Sequence, residues 1–437
     1  MRTDGGAQYE KTEFSSEFLG EHYCRVRHPS GLSVYVFPKR MSTSYALLAT
    51  RYGAADNCFC FEGEKEFVRL PAGVAHFLEH KLFDNPDGSD AIMRLSALGA
   101  DANAYTDYDR TAYLFSATDH VYEALAELIG FVTNPYFTEE TVKKEQGIIA
   151  EEIRMYEDHP GDRCFRGMLT GLYENAELRE NICGTEQSIA AITPEILYRA
   201  YHTFYRPSNM VLIVTGDVTE EGVMEVCDRV LPKTEPDRRR ILREPAREPA
   251  RAFRKRTEYR MQTGKTQFCL AMKDPVTGLS PGERFARTTA VSLLDDMLFS
   301  MAEPFYNRLF EAGLVSPLWS YGYNTYGTYA FNGISGEADD PDRVLEEWHR
   351  YLGEVRRDGL SPESFLRNQR ASVAEFIKLF DSTEDIGEAL LQSALDGVDL
   401  FRNMDAVESV TMEELNALLD TLFREEYETL SVVRPLE

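Results

Sequence analysis

The sequence predicts an α+β protein of two homologous halves, each a mostly antiparallel sheet packed with helices. Three features lead there: short apolar runs closed by turn residues, long amphipathic stretches placed without a steady strand–helix rhythm, and segments of the front half that recur later in the chain. At 437 residues the chain suits two domains of about 200 residues, each large enough for its own core.

Along the chain, the first informative element is His76-Phe77-Leu78-Glu79-His80. On a helix, positions 76, 79 and 80 project together, because residues three and four apart are neighbours. Two imidazoles then grip one metal with a carboxylate beside it, the inverted H-x-x-E-H arrangement. Next, Asn103-Ala104-Tyr105-Thr106, the turn Asp107-Tyr108-Asp109-Arg110 and the run Thr111-Ala112-Tyr113-Leu114-Phe115 read as a hairpin. Amphipathic helices are expected over Asp119–Phe131 and Glu139–Glu157. In the latter, Glu145, Ile148, Ile149, Glu152 and Tyr156 share one stripe, opposite Lys144, Gly147, Glu151, Arg154 and Asp158. A carboxylate among isoleucines is costly unless paired or metal-bound, so Glu152 rather than Glu151 is the expected third ligand. Glu145, two turns earlier, is expected beside the ligands. A lone histidine on an apolar helix face needs no metal; this whole constellation points to one.

Asn209–Asp217 reads as a buried strand ending in a turn. The Pro-, Arg- and Glu-rich segment 233–252 reads as a linker, dividing the chain into 1–232 and 253–437. Beyond it, Leu294-Asp-Asp-Met-Leu-Phe299 repeats Leu78-Glu-His-Lys-Leu-Phe83 at an offset of 216, and Val373–Phe380 repeats Ile149–Tyr156 at an offset of 224. A helix over Asp342–Val355 and a closing apolar run at Leu430–Val433 complete the second half. In this register His76, His80 and Glu152 become Ser292, Asp296 and Phe376, so the scaffold is kept and the metal lost. Without histidine partners, Asp295 and Asp296 are expected as solvated helix residues.

Lys+Arg 47 against Asp+Glu 73 gives a net charge of −26, which argues against nucleic acid and anionic membranes as partners and favours cationic ones. Seven scattered cysteines, no apolar leader and no run of about 18 apolar residues imply a reducing compartment, the cytoplasm, and no membrane span.

With His76, Glu79, His80, Glu152 lying 72 residues past His80, and a duplicated chain, the sequence resembles the pitrilysin/insulysin/mitochondrial processing peptidase family of inverzincins over essentially its whole length. It is also similar to bacterial cytoplasmic members working as paired active and inactive subunits. The resemblance implies a clamshell whose catalytic half (1–232) and degenerate half (253–437) enclose a peptide. It further implies that the strand Thr111–Phe115 of this hairpin pairs with substrate backbone, with Asn103 and Ala104 as substrate contacts. The expected activity is that of a metalloendopeptidase with one Zn2+ per chain, held by His76, His80 and Glu152, with Glu79 as general base and Glu145 supporting catalysis. Peptides, cationic ones included, are the expected substrates, and a homodimer or a heterodimer with a paralogous subunit the expected assembly.

One departure concerns an arginine and, seven residues on, a tyrosine that contact peptide in members acting alone. Arg308 fits the first position, but Val315 stands at the second and the tyrosines begin at Tyr321. Either a tyrosine such as Tyr321 substitutes, or a partner subunit provides the pair. Two rivals stand beside the peptidase: a subunit, catalytic or not, of a peptide-processing heterodimer, and a zinc hydrolase acting on another substrate.

Overall fold

The computed structural model describes residues 9–231, 236–244 and 247–436. These fall into two compact units.

The first unit is built on a seven-stranded sheet. Its spatial order is Glu10–Ser16, Glu21–Arg27, Ser33–Pro38, Met210–Gly216, Ser44–Thr50, Thr111–Ala117, Asp101–Thr106. All neighbours are antiparallel except Ser33–Pro38 with Met210–Gly216, where Val34 faces Leu212. Every residue of Ser44–Thr50 and Met210–Gly216 is buried, the pattern of strands covered on both faces. The hairpin read from sequence is present, but Thr111–Ala117 is an interior strand. It is Asp101–Thr106, carrying exposed Asn103 and half-buried Ala104, that ends the sheet with a free edge.

The second unit is built on a five-stranded sheet ordered Arg256–Met261, Glu428–Pro435, Gln267–Asp274, Tyr329–Ala338, Val315–Tyr326, again with one parallel pair, Arg256–Met261 beside Glu428–Pro435. This matches, strand for strand and in the place of the parallel pair, the last five strands of the first sheet. The duplication inferred from two short matches is thus a duplication of topology.

The units do not follow the two halves of the chain. The segment Glu151–Arg179 clusters with the second unit, and Ile377–Phe401 with the first. Helix Thr383–Asp396 lies on Ser44–Thr50 and Met210–Gly216, burying Ile386, Leu390 and Leu391. Its Gly387 allows the close approach, since a Cβ there would sit 2.5 Å from the Tyr45 ring. Helix Pro160–Leu172 lies in the same way on Glu428–Pro435 and Gln267–Asp274, where a Cβ at Gly167 or Gly171 would run into Ser431 and Thr429. These helices follow Glu139–Glu157 and Pro362–Leu379 at equivalent places in the repeat, so the exchange is reciprocal.

Within the segment read as a linker, residues 233–235 and 245–246 lie outside the described residues. Ile241–Arg243 pairs antiparallel with Cys58–Phe61 in a small third sheet, and Arg243 is anchored on buried Asp56. The expected helices appear as Val121–Thr133, Glu139–Glu157 and Pro341–Asp358. Among the described residues no helix is long and apolar enough to cross a membrane. All seven cysteines are buried and unbridged.

Candidate active site

The motif lies on helix Val74–Leu82. This helix has no side-chain cap and starts from Gly73, whose φ of 91° is open to glycine. A Cβ at Gly73 would lie 2.5 Å from the Cys183 carbonyl oxygen, so the chain at Cys183 closes over the helix start. The Ser188 hydroxyl donates to the Ala72 carbonyl at 2.8 Å and ties the two segments together. Phe77 and Leu78 are fully buried, about 1.5–3 kcal/mol each, which fixes the helix rotation. That rotation leaves His76 only 7% and Glu79 9% exposed. The two imidazole centroids are 4.5 Å apart.

The second contributing helix, Glu139–Glu157, is continuous across the boundary between the units. The inward turn of Glu152 is as expected: Glu152 is half-buried between buried Ile149 and Ile153, while Glu151 is exposed. Ile148 departs from the expected stripe and is 46% exposed. The apolar side is centred instead on Val142, Ile149 and Ile153, because the ideal 100° step places Ile148 at the stripe's margin.

One ligand atom each from His76, His80 and Glu152 lies within 4.8 Å of the others. Two nitrogens and a carboxylate oxygen converging this way suit a tetrahedral divalent metal with its fourth position open, so the residues fit zinc. Glu145 Oε1 stands 3.0 Å from His80 Nδ1. This contact orients the ring.

Four residues near the motif make contacts that have no signal in the sequence. The Thr106 hydroxyl, from the free-edge strand, donates to Glu79 Oε2 at 2.5 Å. Cys183 Sγ lies 3.8 Å from His76 Nε2. The hydroxyls of Tyr113 and Tyr205 meet at 2.9 Å. Burial holds the Tyr113 phenol well above its ordinary range, with Tyr205 and the Glu79 charge adding to the effect, so it stays neutral.

The remaining expected residues lie in the second unit. Arg308 pairs with Glu354 at 2.5 Å and sits over the Tyr351 ring. The Tyr321 hydroxyl donates to Asp296 Oδ1 at 2.9 Å. Asp295 and Asp296 are not the solvated residues expected: Asp295 is 1% exposed and accepts from Asn332 Nδ2 at 2.8 Å, and Asp296 is half-buried. Their helix, Pro281–Phe299, packs against the strand Val315–Tyr326, which shelters them.

Comparison with known proteins places this geometry. A model of the insulinase family (peptidase family M16) matches residues 70–186, and one of the peptidase M16 inactive domain matches residues 191–372. The uncharacterized zinc protease YmfH of Bacillus subtilis is 35% identical over 408 residues, 92% of this chain and 94% of its own. The chain belongs to peptidase family M16. M16 membership makes it a metallopeptidase, and the first matched region carries the motif and Glu152 while the inactive-domain match covers the altered Ser292 and Asp296. A crystal structure described as an M16-like peptidase from Alicyclobacillus acidocaldarius superposes with a TM-score of 0.90 at 30% identity, covering 99% of both chains. A probable mitochondrial-processing peptidase subunit beta from Arabidopsis thaliana is 29% identical over 182 residues, 41% of this chain and 34% of its own.

Proposed function

We propose that this M16 chain is a zinc-dependent endopeptidase acting on short or unfolded peptides, with His76, His80 and Glu152 as metal ligands. The convergence of three ligand atoms within 4.8 Å of one another, with buried Glu79 on the helix that carries two of them, supports the reading. Zinc held there would polarise the scissile carbonyl and acidify water. Glu79 is the base: it accepts the proton of the attacking water and returns it to the leaving amine nitrogen. Thr106 fixes one carboxylate oxygen, so the other is aimed at the reacting atoms. Glu145 holds His80 in its ligating orientation. The free edge at Asn103 and Ala104 takes extended peptide backbone by strand addition, which asks for an unfolded segment rather than a particular sequence. The charge of −26 favours cationic peptides and leaves nucleic acid and anionic membranes as poor partners. A cytoplasmic location is part of the same reading.

A second reading, a subunit of a peptide-processing dimer, draws on Val315 seven residues after Arg308 and on the likeness to a processing-peptidase subunit beta. Tyr321, with its hydroxyl on Asp296, is bound up in the second unit's own network, which leaves the contact pair to a paralogous or identical partner.

The test is cleavage of a library of unstructured peptides by the purified chain, with Glu79→Gln as control. The expected result is a fall of at least about a hundredfold in rate with zinc content unchanged. Wild-type cleavage by the variant overturns Glu79 as base. Silence from the zinc-loaded wild type overturns the self-sufficient enzyme in favour of the dimer.

A further inference from the structure

The second unit keeps a pocket on the helix that the repeat aligns with the motif helix. It has a volume of about 400 Å3 and lies between helix Pro281–Phe299 and the strand Val315–Tyr326. Its walls include Ser292, Asp295 and Asp296 from the helix, and Trp319, Tyr321 and Tyr323 from the strand. None of its eight lining residues is basic.

The polar groups here are arranged for something that donates. Asp295 Oδ1 is satisfied by Asn332, but Asp295 Oδ2 is buried with no hydrogen-bond partner. An orphaned carboxylate oxygen at the wall of a pocket costs about 1–3 kcal/mol, which argues for a donor that occupies the site. Asp296 adds a second carboxylate, with Oδ1 held by Tyr321. The nearby cation Arg287 is already spent on Asp274, at 2.6 and 2.7 Å, and Tyr323 donates to the same Asp274 at 2.8 Å. Burial pushes the Asp295 and Asp296 carboxyls above their usual range, a shift that an arriving cation would oppose.

A divalent metal does not suit the pocket. Among the described residues, only His76, His80 and Glu152 bring three His, Cys, Asp or Glu ligand atoms together. A planar guanidinium does suit it, since several donors in a fork can serve carboxylate oxygens while the flat face rests on aromatic rings. We infer that this pocket binds the guanidinium of an arginine side chain, with Asp295 and Asp296 as acceptors and Trp319, Tyr321 and Tyr323 as its aromatic walls. The metal face lost in the repeat has thus become a cation-binding face. That the arginine belongs to a peptide rests on the peptidase reading; the binding itself does not.

The test titrates L-argininamide, and L-lysinamide as comparator, into the full chain by isothermal calorimetry. Saturable binding of L-argininamide is expected, with L-lysinamide at least about tenfold weaker because an ammonium lacks the planar fork. Asp295→Asn, nearly isosteric, should weaken the affinity about tenfold or more through the loss of a charge-assisted hydrogen bond. Ser320→Arg, at the exposed rim, should do the same by filling the pocket from its own strand without disturbing the buried acids. No saturable binding to wild type, equal affinity for the two amides, or unchanged affinity in either variant overturns the inference. The titrations are repeated on Glu79→Gln to separate the two readings. Absent binding with Glu79-dependent cleavage intact removes the pocket alone; binding retained while Glu79→Gln still cleaves removes the peptidase mechanism alone.

Discussion

Glu151 and Glu152 are neighbours in the chain with opposite surroundings, one in water and one half-buried beside two histidines. Glu152→Ala is therefore expected to lose zinc during dialysis against a weak chelator, with affinity down about a hundredfold. Glu151→Ala should retain it, and metal analysis of the two variants decides. Thr106 makes a different kind of contribution, because its hydroxyl donates to Glu79. Removing a hydrogen bond to a charged group costs about 1.5–3 kcal/mol. Thr106→Val should accordingly lower kcat about tenfold, with KM and zinc content nearly unchanged. A change confined to KM would assign Thr106 to substrate binding instead.

At the scale of elements, the motif helix depends on a start that no side chain caps. Gly73 stands at φ 91° against the Cys183 carbonyl. Gly73→Ala adds a left-handed penalty of about 1–2 kcal/mol and a backbone clash. It is expected to lower the thermal midpoint and weaken zinc retention together; an unchanged midpoint would show that this start is not tightly held. The edge strand has its own anchor. The hydroxyls of Tyr45 and Tyr105 donate to Glu388 at 2.7 and 2.9 Å, and Arg110 donates to Gln392 at 2.8 Å. A helix encoded in the second half of the chain thus holds the hairpin that faces Glu79. Period and spacing made the helices and the hairpin legible, since both depend on residues a few positions apart. Which hairpin strand is the edge was not legible, because that depends on pairing with a strand far away in sequence.

For the whole molecule, the reciprocal exchange of segments makes the halves interdependent. The first unit's central strands are buried on every residue and need Ile386, Leu390 and Leu391 from beyond the linker. Each such side chain is worth about 1.5–3 kcal/mol when buried. A fragment of residues 1–232 is therefore expected to expose apolar surface, bind a hydrophobic dye and hold zinc poorly. Co-expression with residues 233–437 should restore a folded, zinc-loaded protein. A folded, dye-negative 1–232 fragment would show that the exchanged helix is dispensable.

The sequence by itself determined the α+β class, the duplication, the two histidines with Glu79 between them, the inward Glu152 and the degeneracy of the second half. These are statements about spacing along a helix or about similarity between segments, and the chain states both directly. Only the tertiary structure decided that Thr106 holds Glu79, that Cys183 abuts His76 and that Asp295 and Asp296 are sheltered. It alone decided, too, that each unit borrows a helix from the other half. All of these depend on contacts between residues far apart in sequence, where the free energy of burial outweighs local preference and leaves no periodic trace to read.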